Sequence, residues 1–248
     1  MSVEKPEFNI QQPDAGKTEK ETSAEQEEVM LKTAEIEESH AISEKGINET
    51  LYVSFKGGGA GIFKPKAGEK PVPKMEDVFP VGTYFKRERA AYLVDKAFGF
   101  GLVPPTEIRT INGQEGSIQK FVEDAIVLNL LPPEQRENHE LQDELMKVWV
   151  FDYIIHQSDS SDENFLVKDS RIVAIDNGLS FEKTETDFDY KDFRKQPPAA
   201  EIREKIKGFF SDEKRMSSLR NSLSELLSPE EVNACLRRAE KVKDFVKK

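Results

Sequence analysis

The sequence predicts an α+β chain of two lobes, a small lobe of mostly antiparallel strands with one helix and a larger, mainly helical lobe after it. Three observations predict it. Short apolar segments separated by Gly and Asn-Gly turns occupy residues 50–123, a single amphipathic helical segment interrupts them at 85–99, and helical spacing dominates from residue 134 onward.

Residues 50–55, TLYVSF, read as a strand, and KGGG at 56–59 as the turn into a second strand, GIFKPK at 61–66, which ends by presenting Lys64. The glycine run lacks the GK[ST] ending of a phosphate loop and is flanked by strands, so a hairpin turn is the better reading. Three prolines make residues 69–82 a loop. The helix that follows spaces Ala90, Leu93, Val94 and Phe98 on one face and carries Glu88 near its start. A VPPT turn at 103–106 leads to a strand, EIRTI, and an Asn112-Gly113 hairpin to the strand GSIQKFVE, whose end is the expected hinge between lobes. The second lobe begins near residue 125. Its main helix is expected over 134–156, after Pro132 and Pro133, with Leu141, Leu145, Val148, Trp149, Asp152 and Ile155 at helical spacing. Near the C-terminus, Ser228, Pro229 and Glu231 form a capping box ahead of an apolar stripe of Val232, Leu236 and Val242.

Chemistry concentrates in residues 151–181. Asp159 and Asn164 stand five apart, a short apolar strand follows, and then comes Asp176 beside Asn177-Gly178. Kinase-type phosphoryl transfer needs one carboxylate to orient the attacking hydroxyl, and an Asn and a second Asp to hold the magnesium ions that bridge the ATP phosphates. Asp159, Asn164 and Asp176 can fill these roles in that order. Lys64 supplies an ammonium for the phosphates, and Glu88 a carboxylate to pin it. Taken singly, each residue is a solvated strand end, helix face or turn former; that account does not predict the ordered set. His156, three residues before Asp159, reads as a brace for the loop rather than a base, and Asp162 as a secondary contributor through metal-bound water.

The blocks GIFKPK, RERAAYLVD, VPPT, GSIQKFVE, DYIIHQSDSSDENFLV and AIDNGLSF resemble, in order, the signature blocks of the phosphatidylinositol 3/4-kinase superfamily, with the type II phosphatidylinositol 4-kinases most similar. The resemblance covers residues 50–181 and implies a two-lobed protein-kinase-like fold with ATP and Mg2+ as cofactors. It makes Lys64, Glu88 and Asp159 catalytic residues and Asn164 and Asp176 the metal-binding pair. It also implies nucleotide contacts from Gly46 and Thr50 at the ends of the phosphate-covering loop, and from Gln119, Phe121 and Val122 at the hinge. Two positions depart from the pattern. Ser160 stands where type II enzymes commonly carry Arg, and the loop GINET at 46–50 has one Gly and an acidic residue.

Composition narrows the partners. The first 45 residues hold 12 acidic residues and five Lys, leaving about −4 of the whole-chain charge of −11 for the rest. Few aromatic or β-branched residues occur there, so a largely disordered acidic tail is expected, with a short helix near 25–38 as the minority reading. The domain expected to carry the chemistry is 46–248, divided near residue 124. It offers no dense Lys/Arg stripe interleaved with aromatics, which argues against a nucleic-acid partner. Arg237, Arg238, Lys241, Lys243, Lys247 and Lys248 cluster at the C-terminus, where cations favour a helix end by about 0.3–1 kcal/mol each. No stretch reaches the ~20 apolar residues that span a bilayer, and no signal-peptide core opens the chain. Cys235 is the single cysteine, consistent with a reducing, cytoplasmic setting and at most peripheral membrane contact. The acceptor stays open between phosphatidylinositol, which the resemblance implies, and a protein Ser/Thr hydroxyl. An acidic domain without an acyl anchor or polybasic patch is poorly suited to an anionic membrane. A non-catalytic nucleotide-binding module is the third reading.

Overall fold

The computed structural model describes residues 19–42, 48–184 and 200–246. Its first sheet is antiparallel, with strands β1 (Ile36–Ala41), β2 (Leu51–Phe55), β3 (Ala60–Pro65), β4 (Thr106–Ile111) and β5 (Gln114–Lys120) in the spatial order β1-β2-β3-β5-β4. The glycine run turns the chain from β2 to β3 with positive φ at Gly57, Gly58 and Gly59, and the Phe55 N–H closes the turn on the Gly59 carbonyl at 3.1 Å. Asn112 and Gly113 both take positive φ, which is the two-residue hairpin the sequence predicts. Register pairs Lys64 of β3 with Ser117 of β5 and Pro65 with Gly116. A Cβ on Gly116 would sit 2.3 Å from the Lys64 carbonyl oxygen, so only glycine lets β5 approach β3 this closely.

Helix α2 (Tyr84–Phe98) ends at Gly99, whose left-handed φ of 71° lets its N–H return to the Asp95 carbonyl. One side of α2 packs on β4 and β5, and its remaining surface joins the core of the second lobe. That lobe contains α3 (Pro133–Arg136), α4 (His139–Ile155), α5 (Ala200–Ser211), α6 (Glu213–Ser224) and α7 (Pro229–Val246), with a small antiparallel sheet of β6 (Ile126–Val127), β7 (Phe165–Lys168) and β8 (Arg171–Ala174). The capping box opens α7 as expected: the Glu231 N–H donates to Ser228 Oγ at 3.3 Å, and the Ser228 N–H donates to Glu231 Oε2 at 2.8 Å. Val232 and Val242 are buried, and Leu236 packs against the same core.

Four expectations are corrected. The acidic N-terminal segment forms α1 (Glu19–Thr33) and the edge strand β1 within residues 19–41. Charge there is matched rather than solvated: Glu27 pairs with Lys120, Glu28 with Lys96, and Arg109 donates to the carbonyls of Leu31 and Ala34 while Leu31 enters the small-lobe core. The helix expected over 134–156 is two helices, because Asn138 caps α4 by accepting from the Glu140 N–H at 3.0 Å. Trp149, expected on the apolar face, is 45% exposed. Arg238, expected on a solvated surface, is 2% exposed and donates to the carbonyls of Ile154 and Glu182, each at 3.0 Å. Lys247 and Lys248 lie outside the described residues. Among the described residues no helix is long and apolar enough to cross a membrane.

Candidate active site

Strand β3 brings Lys64 to the edge of the cleft, and α2 brings Glu88 against it. The Lys64 ammonium donates to Glu88 Oε1 and, at 2.9 Å, to Asp176 Oδ1, so carboxylates from a helix of the small lobe and a turn of the large lobe share one cation. The side chain of Glu88 is 3% exposed, that of Lys64 23% and that of Asp176 55%. Burial works against the ammonium charge, but Asp176 and Glu88 outweigh it and hold Lys64 above the ordinary lysine range. Burial pushes Glu88 upward, with Lys64 opposing, while Lys64 holds Asp176 below the usual carboxylate range. The second oxygen of Glu88 accepts the Asn177 N–H at 3.0 Å, so α2 fixes the backbone just after Asp176 as well.

That backbone is unusual. Asp176 has φ of 57°, the left-handed region that Asp tolerates better than most residues, and it turns the chain sharply after β8. Gly178 passes so near α2 that a Cβ there would meet Tyr84 Cβ at 3.2 Å. Arg87, buried on α2, donates to the Ser180 carbonyl and pairs with Glu231 at the start of α7.

Asp159 lies in the loop after α4, and its backbone is held from both sides. Its N–H donates to Gln157 Oε1 at 3.3 Å, and its carbonyl accepts from Asn164 Nδ2 at 2.7 Å. Asn164 ends a short 3-10 turn, Asp162–Asn164, and its own carbonyl accepts the Ile175 N–H at 2.9 Å. Asp162 Oδ2 stands 4.0 Å from Arg136 Nη1.

Lys64, Glu88, Asp159, Asp176 and Thr50 line one cavity of about 300 Å³. Glu49 and Glu69 line it too, so five carboxylates face a single ammonium. Among the described residues no three His, Cys, Asp or Glu side chains converge as a complete metal site. The oxygen donors present suit a hard divalent cation that takes its remaining ligands from phosphate and water: Asp176 ionised and half exposed, and Asn164 with its amide nitrogen already committed to Asp159.

Other predicted residues fall elsewhere. Gly46 lies outside the described residues. Gln119 is buried and donates to Thr106 Oγ1 at 2.9 Å. Phe121 gives its N–H to the Ala60 carbonyl at 3.0 Å and packs edge-on to Tyr52. Phe121 and Val122 line a second cavity of about 830 Å³, between α1, the end of α2 and the hinge, which shares no lining residue with the first. Sequence spacing cannot foresee this, because strand alternation does not say which side of a hinge a side chain takes.

His156 is not the loop's brace. It caps α4 in the left-handed region with Nε2 3.8 Å from Glu182 Oε2, and burial holds its pKa down. The bracing falls to Gln157, which sequence reasoning missed: Nε2 reaches the Asp176 carbonyl at 3.2 Å and Asn177 Oδ1 at 3.4 Å. Asp152, expected in the packing series of α4, accepts the Ser160 Oγ hydroxyl at its Oδ2 at 2.5 Å. An Asp on the buried face of a predicted helix was the available signal for it.

No protein-family model and no curated protein sequence matches the chain. Solved structures do. The Golgi casein kinase with Mn/ADP bound superposes with a TM-score of 0.64 at 17% identity, over 91% of this chain and 76% of that one. Hydra Fam20 with sugar gives 0.60 at 16%, over 93% and 90%. The Helicobacter pylori proinflammatory kinase CtkA gives 0.54 at 11%, over 86% and 93%. At these identities the likeness is one of fold: the chain has the two-lobed kinase-like architecture of an antiparallel small lobe on a helical large lobe.

Proposed function

We propose that this protein is an ATP-dependent kinase that transfers the γ-phosphoryl group to a hydroxyl of a protein substrate. The observation that carries the reading is the Lys64 ammonium held between Glu88 and Asp176 in a cavity that Asp159 also lines. Glu88 positions Lys64, and Lys64 takes phosphate oxygens. Asn164 fixes the carbonyl of Asp159, whose carboxylate orients the acceptor hydroxyl and takes its proton. Thr50 supports the phosphate end of the cavity. Five carboxylates against one ammonium would repel a bare polyphosphate, so divalent cations would have to accompany the nucleotide, and Asp176 in the cavity and Asn164 beside Asp159 would hold them. Magnesium or manganese held there would supply neutralisation of the phosphate charge.

The casein kinase among the structural neighbours supports a protein acceptor, as does the absence of a polybasic patch in an acidic domain. Phosphatidylinositol is the second reading, favoured by the six ordered sequence blocks that resemble the lipid kinases.

The test is transfer of label from γ-labelled ATP with Mg2+ or Mn2+, in parallel reactions containing dephosphorylated casein, a cell lysate and phosphatidylinositol vesicles, with Asp176→Ala as control. Label in protein, absent with Asp176→Ala, supports the reading. Label in lipid alone moves the acceptor to the inositol ring. ATP binding without any transfer makes the protein a non-catalytic nucleotide-binding module. Asp159→Asn is expected to lower turnover about 10²–10⁴-fold, the usual contribution of a positioned base.

A further inference from the structure

Near the end of α4 the structure holds a carboxylate in an expensive place. Asp152 is 9% exposed, its Oδ1 is buried without a hydrogen-bond partner, and burial pushes its pKa up to about 7. Its side chain makes one hydrogen bond, accepted at Oδ2 from Ser160 Oγ at 2.5 Å. Folding alone gives no reason for an Asp here. The Asp152 carbonyl takes the N–H groups of His156 and Gln157, which any residue's backbone would do, and a Leu or Met would fill the apolar surroundings without an unsatisfied oxygen.

Ser160 is the residue after Asp159. It projects from an exposed loop, so its hydroxyl could be satisfied by water, yet it turns inward to Asp152. The loop around Asp159 is therefore fixed at three points: Gln157 takes the Asp159 N–H, Asn164 holds the Asp159 carbonyl, and Asp152 holds the next residue. Gln157 and Asn164 tie the loop to the segment after β8, through the Asp176 carbonyl and the Ile175 N–H. The third joins it to the rigid helix of the large lobe.

We infer that Asp152 is a positioning residue for phosphoryl transfer, acting through the Ser160 hydroxyl to set the height and orientation of Asp159 over the cavity. The inference rests on the reading of Asp159 as the group that orients the acceptor. Displacing a reacting group by about 1 Å costs roughly 10²-fold in rate.

The experiment is a four-variant kinetic series, Ser160→Ala, Ser160→Thr, Asp152→Ala and the Ser160→Ala/Asp152→Ala double, read as kcat and KM for ATP. Thermal unfolding and amide hydrogen exchange over residues 157–164 accompany it. Expected is a kcat loss of about 10- to 100-fold in Ser160→Ala with KM for ATP within about twofold, and recovery with Ser160→Thr, which keeps the hydroxyl. The double variant should be no worse than the poorer single one, because both remove the same contact. Faster exchange at 157–164 with an unchanged unfolding midpoint in Ser160→Ala is expected whether or not phosphate is transferred. Ser160 is exposed, so that variant folds even if Asp152→Ala does not. Wild-type kcat in Ser160→Ala, losses that multiply in the double variant, or unchanged exchange overturns the inference. Asp159→Asn separates the two claims: if it retains turnover, the reading of Asp159 fails, whereas an inactive Asp159→Asn beside a fully active Ser160→Ala sinks the Asp152 contact alone.

Discussion

Gln157 Nε2 donates to the backbone carbonyl of Asp176 at 3.2 Å, joining the loop that carries Asp159 to the turn that carries the carboxylate facing Lys64. The same side chain accepts the Asp159 N–H through its other end. One amide thus sets the spacing of two carboxylates that come from different turns.

Replacing Gln157 with Leu should separate those turns without unfolding the molecule, since the residue is only partly buried. The expected outcome is a fall in ATP turnover of about tenfold or more with an unfolding midpoint close to wild type. Steady-state kinetics beside a thermal melt would show it.

Lys64→Met removes the cation from between Glu88 and Asp176 and leaves Glu88, 3% exposed, as a buried charge without its partner. A loss of about 3–5 kcal/mol in unfolding free energy is expected. Adding Glu88→Gln should restore most of that stability, because Gln still accepts the Asn177 N–H and carries no charge, yet it should restore no turnover. Urea titrations of both variants decide the matter; a double variant as unstable as the single one would contradict it.

Gly116→Ala tests how the sheet positions Lys64. The added Cβ meets the Lys64 carbonyl oxygen at 2.3 Å, a backbone contact that no rotamer change relieves. The two strands must part, at about 1–3 kcal/mol. ATP affinity, followed by titration calorimetry, should weaken although residue 116 does not line the cavity.

Stability should fall as pH rises through neutrality. Asp95 is fully buried on α2, and burial pushes its carboxyl up to about 7 despite accepting the N–H groups of Leu102 and Val103. Its folded pKa is above its unfolded one, so its contribution is fully present below the ordinary carboxylate range and is lost as pH climbs from about 4 to 7. Asp152 adds a dependence of the same sign. Unfolding free energy measured between pH 5 and pH 8 should decline by at most ~1.4 kcal/mol per pH unit for each group, and Asp95→Asn should flatten the curve. A curve that rises with pH would refute this.

The elements that local chemistry dictates were legible in the sequence. Gly57 to Gly59 and Asn112-Gly113 make the turns their φ preferences require, and Ser228 to Glu231 caps α7. Lys64, Glu88 and Asp176 meet, because chain order and element type are enough to place them once the architecture is given, whereas the bond from Asn164 to the Asp159 carbonyl was not legible. What escaped depends on partners far along the chain. Composition made α1 look solvated, but Glu27 and Glu28 find Lys120 and Lys96 across 93 and 68 positions. Gln157 and Asp152 are ordinary residues whose importance comes from what lies opposite them. Phe121 and Val122 face a different cavity from the one assigned to them, since a hinge has two sides and sequence names neither.

Arg87 reaches from the helix of Glu88 to both the Ser180 carbonyl and Glu231. That helix is consequently clamped to the large lobe one residue before its carboxylate meets Lys64. Rolling it outward to disengage Glu88 would strand a buried guanidinium, a penalty of about 3–5 kcal/mol before any other contact is lost. The molecule is built in its engaged posture, and whatever restrains it must act on what enters the cleft rather than on the hardware inside.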